Sequence, residues 1–227
     1  MNKLLKSFAK EITPPCLLRG MRSLAAALRP TPDTEGPHGE QPPEWYDTVY
    51  ATRQGYRKHY TESTYYFMWT VIADRIVHGG VRAVLDIGCG PGQFASLLFD
   101  KGIGQYCGID FSPKSIELAQ RQCPSLEFMV ADISESGILE SQDYDCVVAL
   151  EFLEHVEEDV AILKRIRKGA KFFGSVPNFA CLSHVRHFSS DEEVRSRYGR
   201  QFSPFRVDSF VGDPKGHVFY VMEGIKI

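Results

Sequence analysis

From Arg82 onward the chain alternates short apolar runs with amphipathic stretches, and this alternation constrains the fold more than any other feature of its 227 residues. The strand-like runs are RAVLDIG (82–88), QYCGID (105–110), LEFMVAD (126–132), YDCVVAL (144–150) and AKFFGSVP (170–177). Between them the periodicity predicts helices over about 92–101, 113–122 and 155–168, the last with Val156, Val160, Leu163 and Ile166 on one face. Strands alternating with helices predict an α/β fold: a doubly wound, mostly parallel, seven-stranded sheet with helices on both faces. Ligand sites then fall at the carboxyl ends of the strands. The tail FRVDSFVGDPKGHVFYVMEGIKI holds two further strand-like runs joined by GDPKG, which closes the sheet with an antiparallel hairpin.

Upstream of the sheet the composition changes twice. Residues 1–29 carry Lys3, Lys6, Lys10, Arg19, Arg22 and Arg29 against one acid, Glu11, and read as a basic amphipathic arm broken at Pro14-Pro15. Two readings of the arm stay open: peripheral contact with an anionic membrane surface or a partner, and packing on its own domain or a second subunit. Residues 30–44 are rich in Pro, Gly and acids and read as a linker, leaving 45–227 as the main domain. Tyr65, Trp69, Ile72 and Ile76 repeat at helical spacing within a helix expected over about 62–77, a stripe that suits the core. A formal net charge of −3 argues against a general nucleic-acid binder. No apolar run approaches the roughly 18 residues of a membrane span, and none of the six cysteines forms a CxxC pair. The expectation is a reduced cytoplasmic protein, peripheral at the inner membrane surface only on the first reading of the arm.

The most specific stretch is VLDIGCGPGQFA, Val84–Ala95. Gly88, Gly90 and Gly92 permit a tight turn and a close backbone approach to a ligand. An acid, Asp86, stands two residues before the first glycine, and the spacing is G-x-G-x-G. A nicotinamide-dependent oxidoreductase uses G-x-G-x-x-G at this place, and an acid after the second strand, here Asp110, suits it too. Asp86, the tighter glycine spacing and the closing hairpin are not features it predicts. Together with GIDFSPKSIELAQ and VADI, they resemble the class I S-adenosylmethionine-dependent methyltransferases, over roughly residues 80–180. That resemblance implies a Rossmann-like fold with S-adenosyl-L-methionine as cofactor. It places Asp86 near the methionine ammonium, directly or through water, and the Gly88-Cys89-Gly90 turn and Gly92 around the cofactor. Asp110 then holds the ribose hydroxyls, with Phe111 and Ser112 against the adenosine, and Asp132 and Ile133 meet the adenine.

ALEFLEHVEED (Ala149–Asp159) follows the fourth strand and sets Glu151, Glu154 and His155 beside the expected methyl group, with Glu151 touching the cofactor edge. Three roles stay open: acid/base work by His155 or His187, a divalent metal such as Mg²⁺ or Mn²⁺ held by Glu151, Glu154, His155 and His187, and simple capping of the next helix. Capping suits Glu157, Glu158 and Asp159 best. E-x-x-E-H resembles the ubiquinone-pathway O-methyltransferases and the small-RNA 2′-O-methyltransferases; in the second group a later histidine completes a metal site. His184 and His187 are both available, and His187 is preferred because it precedes FSSDEE, a helix start with Ser190 and Glu193 spaced as a capping box.

The N/D-P-P-Y/F signature of many N-methyltransferases is missing after the fourth strand, so the expected nucleophile is oxygen, on a small-molecule or glycan acceptor such as a lipid-linked surface polysaccharide. A metal-dependent RNA 2′-O-methyltransferase and a non-catalytic cofactor-binding partner protein are the alternatives. Arg57, His59, Tyr60, Asn178, Phe179, His184, Arg186 and His187 flank the methyl end in sequence and are the substrate-pocket candidates. Arg57 and Arg186 are read either as phosphate or carboxylate binders or as solvated surface groups.

Overall fold

The computed structural model describes residues 38–213 and 215–227, so the basic arm at 1–29 lies outside the described residues. Helix α1 (Pro43–Thr52) and two 3₁₀ turns (Gln54–Arg57, Tyr60–Glu62) lead to α2 (Tyr66–His78). Then β1 (Ala83–Ile87), α3 (Gln93–Asp100), β2 (Gln105–Asp110), α4 (Pro113–Gln122), β3 (Glu127–Val130), α5 (Ile138–Ser141) and β4 (Cys146–Leu150) follow in alternation. A 3₁₀ turn (Leu153–His155), α6 (Asp159–Arg165), β5 (Lys171–Pro177), α7 (Asp191–Tyr198), a 3₁₀ turn (Gly199–Gln201), β6 (Phe202–Val211) and β7 (Val218–Lys226) complete the chain.

The seven strands lie in the order β3-β2-β1-β4-β5-β7-β6. Pairings from β3 across to β5 are parallel, and β7 runs antiparallel to both β5 and β6. Alternate residues of the central strands feed opposite cores, as the two-residue repeat of a strand requires. Val84, Cys146 and Val148 join the core under α2, α3 and α4. Leu85, Ile87, Val147 and Ala149 join the one under α5, α6 and α7. Burial on both faces is why these strands read as near-continuous apolar runs.

The strand order reverses between β1 and β4, so crossovers leave in opposite directions and open a groove at the carboxyl ends. Ser190 caps α7 as its spacing predicts, its Oγ accepting from Glu193 N at 3.3 Å. Two expectations are corrected. The compact unit starts at His38, and Gly39 N donates to Leu182 O at 3.0 Å, so residues 38–44 belong to the domain rather than the linker. The helix expected over 155–168 is instead a 3₁₀ turn and a separate α6. Val156 is extended between them, and the Arg186 guanidinium donates to the carbonyls of Leu153, Val156 and Glu157. A side chain has taken the acceptors that a continuous helix would use itself.

Asp159 is the polar anchor of this corner. It is buried, accepts from both Arg197 nitrogens at 2.8 Å and from Tyr198 Oη at 2.7 Å, and pairs with Arg186 at 3.2 Å. Its expected role as a plain helix cap is therefore a small part of what it does. Removing one partner of such a buried set leaves charges uncompensated, so Asp159→Ala is expected to cost about 3 kcal/mol in urea unfolding, against about 1 kcal/mol for Tyr198→Phe.

Candidate active site at the carboxyl edge of the sheet

The glycine turn after β1 takes the left-handed backbone at each of its glycines, with φ of 71° at Gly88, 56° at Gly90 and 82° at Gly92. Gly92 is further restricted because a Cβ there would meet Ala119 at 3.0 Å, so α3 and α4 pack only over a glycine. Over Gly90 there is room: an added Cβ would find only the Tyr50 hydroxyl, at 3.9 Å. That open cradle is what a ligand lying against the backbone needs.

Asp110, buried at the end of β2, ties the cradle together by accepting from Gly90 N at 3.0 Å and Ser112 N at 2.9 Å. Burial pushes its carboxyl up to about 6 against the pull of these hydrogen bonds. Asp86 is buried behind the turn, accepts from Tyr106 Oη at 2.7 Å, and is pushed up to about 7 by burial. Phe111 is half-buried at the groove's side. Cys89 offers only backbone, since its side chain is buried in the core against Gly108. Ser112 is committed elsewhere: its Oγ accepts from Ser115 N and donates to Asp47. Asp132 is exposed and accepts from Ser134 N at 2.8 Å, while Ile133 is buried beside it.

Across the groove, Glu151 leaves β4 in the left-handed region at φ 51°, a conformation that costs a non-glycine residue on the order of 1 kcal/mol or more. Ser175 holds it there, accepting from Glu151 N at 2.9 Å and donating to its carboxylate at 2.8 Å. This turn drops Glu154 into the interior, fully buried, with neither carboxylate oxygen in a hydrogen bond. Glu154, His155 and His184 present ligand atoms within 4.8 Å of one another.

The histidine that joins the group is therefore His184, and the expected His187 is exposed. Loop 178–187 decides between them. It is closed at its base by Phe188 N donating to Pro177 O, and held inward by Val185 N donating to Glu154 O. Glu151 stands beside the group rather than in it; its charge is the second-largest cause, after burial, that pushes Glu154 well up. Burial pushes Glu151 itself up to about 8, against the downward pull of the Ser175 bond.

Both imidazoles are held neutral. His155 is pushed down to about 3 and His184 to about 4, chiefly by burial. His155 Nδ1 lies 2.9 Å from Ser183 O and His184 Nδ1 lies 3.0 Å from Phe179 O. A carbonyl only accepts, so each Nδ1 carries the proton and each Nε2 is a bare lone pair. His155 Nε2 then faces Glu154 Oε1 at 3.8 Å, acceptor against acceptor.

The remaining pocket candidates have structural partners. Arg186, besides its three carbonyls, pairs with Asp159. Exposed Arg57 donates to Ala51 O at 2.5 Å, and exposed His59 caps the 3₁₀ turn that follows it. Tyr60 donates to Asp100 at 2.6 Å, at the far end of α3 and so about 12 Å from the groove. Asn178 clamps the hairpin turn, accepting from Val218 N at 2.8 Å and donating to Gly216 O at 3.2 Å. Phe179 stays at the rim, with His184, His217 and Phe219 around its ring.

Several site residues escaped the sequence reading. Tyr46 and Tyr50, one turn apart on α1, cover the groove, and Tyr46 Oη lies 3.1 Å from His155 Nδ1. The signal was present in PPEWYDTVY, where Pro43 opens a helix and the tyrosines share a face. Tyr65, assigned to a core stripe, is half-buried with its ring stacked on Trp69, close enough to Glu151 and Glu154 for their charge to push its hydroxyl up, after burial.

Residues 84–172 match the family model described as a methyltransferase domain. Over 100 residues the chain is 29% identical to the ubiquinone biosynthesis O-methyltransferase of Neisseria meningitidis serogroup A, which covers 42% of each chain. To that of Albidiferax ferrireducens it is 30% identical over 113 residues, 46% of this chain and 44% of the relative. The chain thus spans less than half the length of these curated relatives. Among solved structures, the N-methyltransferase NodS from Bradyrhizobium japonicum WM9, in complex with S-adenosyl-L-homocysteine, superposes with a TM-score of 0.60 at 14% identity, over 80% of this chain and 97% of its own. Magnesium protoporphyrin IX methyltransferase from Synechocystis PCC 6803, with the same product bound, gives 0.56 at 20% identity over 70% and 82%. The fold is that of the class I methyltransferases. Over residues 84–172 the sequence matches a methyltransferase domain, in keeping with its glycine turn and sheet order.

The buried groups make stability depend on pH in a calculable direction. Raised acids favour the protonated folded state, so their contribution is largest at low pH and is lost as pH rises through about 7 for Asp86 and higher for the Glu151–Glu154 pair. The lowered histidines work oppositely, but only below the ordinary histidine value of about 6.5. Between about pH 6.5 and 8 only the acids act. The ion-free protein is expected to lose stability across that window in urea titrations, and Glu154→Gln to flatten the loss.

Proposed function

We propose that the protein transfers the methyl group of S-adenosyl-L-methionine to a hydroxyl oxygen of a small-molecule or glycan acceptor, at a site where Glu154, His155 and His184 hold a divalent cation such as Mg²⁺ or Mn²⁺. The observation that carries the cation is Glu154: a buried carboxylate with no donor, facing two bare imidazole nitrogens. Three converging acceptors repel one another unless a proton or a cation sits among them. Carboxylate and imidazole ligands suit such an ion, and the Ser183 and Phe179 carbonyls orient both rings from behind. A general base at His155 is the weaker reading, because burial holds that ring far below neutrality.

On the cofactor side the open cradle over Gly90 takes the cofactor's backbone-facing edge, and Asp110 has lone pairs left for ribose hydroxyls. Asp86 supplies a carboxylate behind the turn for the methionine ammonium. The sulfonium methyl is already activated, so alignment of the acceptor is the main task. Glu154, His155 and His184 would hold the divalent ion, which would supply a lowered pKa to an acceptor hydroxyl. Oxygen as nucleophile is supported by the O-methyltransferases among the sequence relatives and by LEFLEH standing where an N/D-P-P-Y/F signature would. Among the described residues no helix is long and apolar enough to cross a membrane.

Calorimetry tests both halves. S-adenosylhomocysteine is expected to bind the wild type, and Gly90→Val to abolish that binding by filling the cradle. Mn²⁺ titrated into the product-saturated protein is expected to bind saturably. Glu154→Gln should remove this binding and His184→Ala weaken it at least tenfold, with His187→Ala unchanged. Absence of homocysteine-product binding would end the methyltransferase reading; absence of Mn²⁺ binding would end the cation reading alone. Transfer of a labelled methyl group to a panel of vicinal diols and single alcohols then identifies the acceptor class.

A further inference from the structure

Helix α1 reaches three parts of the site from one short stretch. Tyr46 Oη lies 3.1 Å from His155 Nδ1, and its ring packs on Phe111 with centroids 5.2 Å apart. One residue on, Asp47 Oδ1 accepts from Ser112 Oγ at 2.5 Å and from Lys114 N at 3.0 Å, at the first turn of α4 beside the Asp110 loop. One turn further, the Tyr50 hydroxyl stands above Gly90 and its ring meets Tyr56 edge-on. The acceptor end, the ribose loop and the glycine cradle are thus bridged by positions i, i+1 and i+4.

The attachments of this segment are mainly polar. Val49 is its one buried residue, and no side chain caps its N-terminus. Ahead of it, His38 Nδ1 and Gly39 N donate to the Cys181 and Leu182 carbonyls, and Glu40 accepts from Glu157 N. A unit with little buried apolar surface, held by hydrogen bonds to loops, belongs to the low-stability end of a fold and opens locally. Tyr50 covers the cradle while α1 is docked, so a cofactor has to be admitted under it.

At His155 the geometry is specific. The Nδ1 proton lies between the Ser183 carbonyl at 2.9 Å and the Tyr46 oxygen at 3.1 Å. Two acceptors on one N–H fix the ring plane as well as the tautomer, which a single carbonyl leaves free to swing.

We propose that Tyr46 is a positioning residue for His155, delivered by α1 acting as a strap that docks on the cofactor loops, so that the acceptor end is complete only once the cofactor side is closed. This rests on the methyltransferase reading above. Binding of cofactor and ordering of the acceptor end become one event, and the cofactor precedes the acceptor.

The test uses the full chain with S-adenosylhomocysteine as probe, reading amide hydrogen exchange along α1 and the ¹⁵N shifts of the His155 ring. In the wild type the probe is expected to slow exchange at 47–52 at least about tenfold. Asp47→Ala should lose most of that slowing while the protein still binds the probe. Tyr46→Phe keeps the ring and the fold; it should retain the slowing but move the His155 ring nitrogens. Probe binding with α1 exchange unchanged, or Tyr46→Phe with His155 unmoved, overturns the inference. A wild type that does not bind the probe brings down the functional reading, and this inference with it.

Discussion

The reversal of strand order between β1 and β4 is the constraint from which the rest of the molecule follows. Parallel strands place every carboxyl end on one edge, and the reversal separates the crossovers there. The loop after β1 faces the loop after β4 across that gap. One side is built from backbone, a glycine turn whose side chains are withdrawn. The other is built from ionisable side chains driven inward by a strained turn at Glu151. Bare backbone and ionisable side chains are thus divided between two adjacent strands whose residues Val84 and Cys146 are direct partners in the sheet.

How much of this could be read in advance depends on the range of the interaction. Sheet and crossovers were legible because strand and helix periods are local and both cores demand apolar residues on both strand faces. The glycine turn was legible because left-handed backbone restricts residue choice position by position. Ser190 and Glu193 gave their cap for the same reason. What failed was long-range. Nothing local in VPNFACLSHVRHFSS distinguishes His184 from His187; the hydrogen bonds from Phe188 and Val185 to Pro177 and Glu154 do. The break before α6 depends on Arg186, some thirty residues away in sequence. Arg57 is exposed, as its surface reading expects, whereas Arg186 is drawn in by backbone carbonyls and Asp159 that lie far off in sequence.

Polar burial is distributed unevenly between framework and site. Asp159 is as buried as Glu154, but two arginines and a tyrosine satisfy it. Glu154 has no such company. Contrast between the two, on the same short connection, separates a carboxylate that holds elements together from one whose oxygens meet no hydrogen-bond donor among the described residues.

The loop from Asn178 to His187 has a consequence for how such a domain diversifies. Its two ends are pinned, by Phe188 at the base and by the Asn178 clamp on the hairpin turn, while its middle supplies His184 and the Phe179 rim. Leu182 at its tip is buried but belongs to neither core, and its carbonyl accepts from Gly39 N. Within the loop, Asn178, Val185 and Arg186 are tied to the hairpin turn, Glu154 and Asp159, so the freedom to vary without touching the sheet is confined to the residues between them.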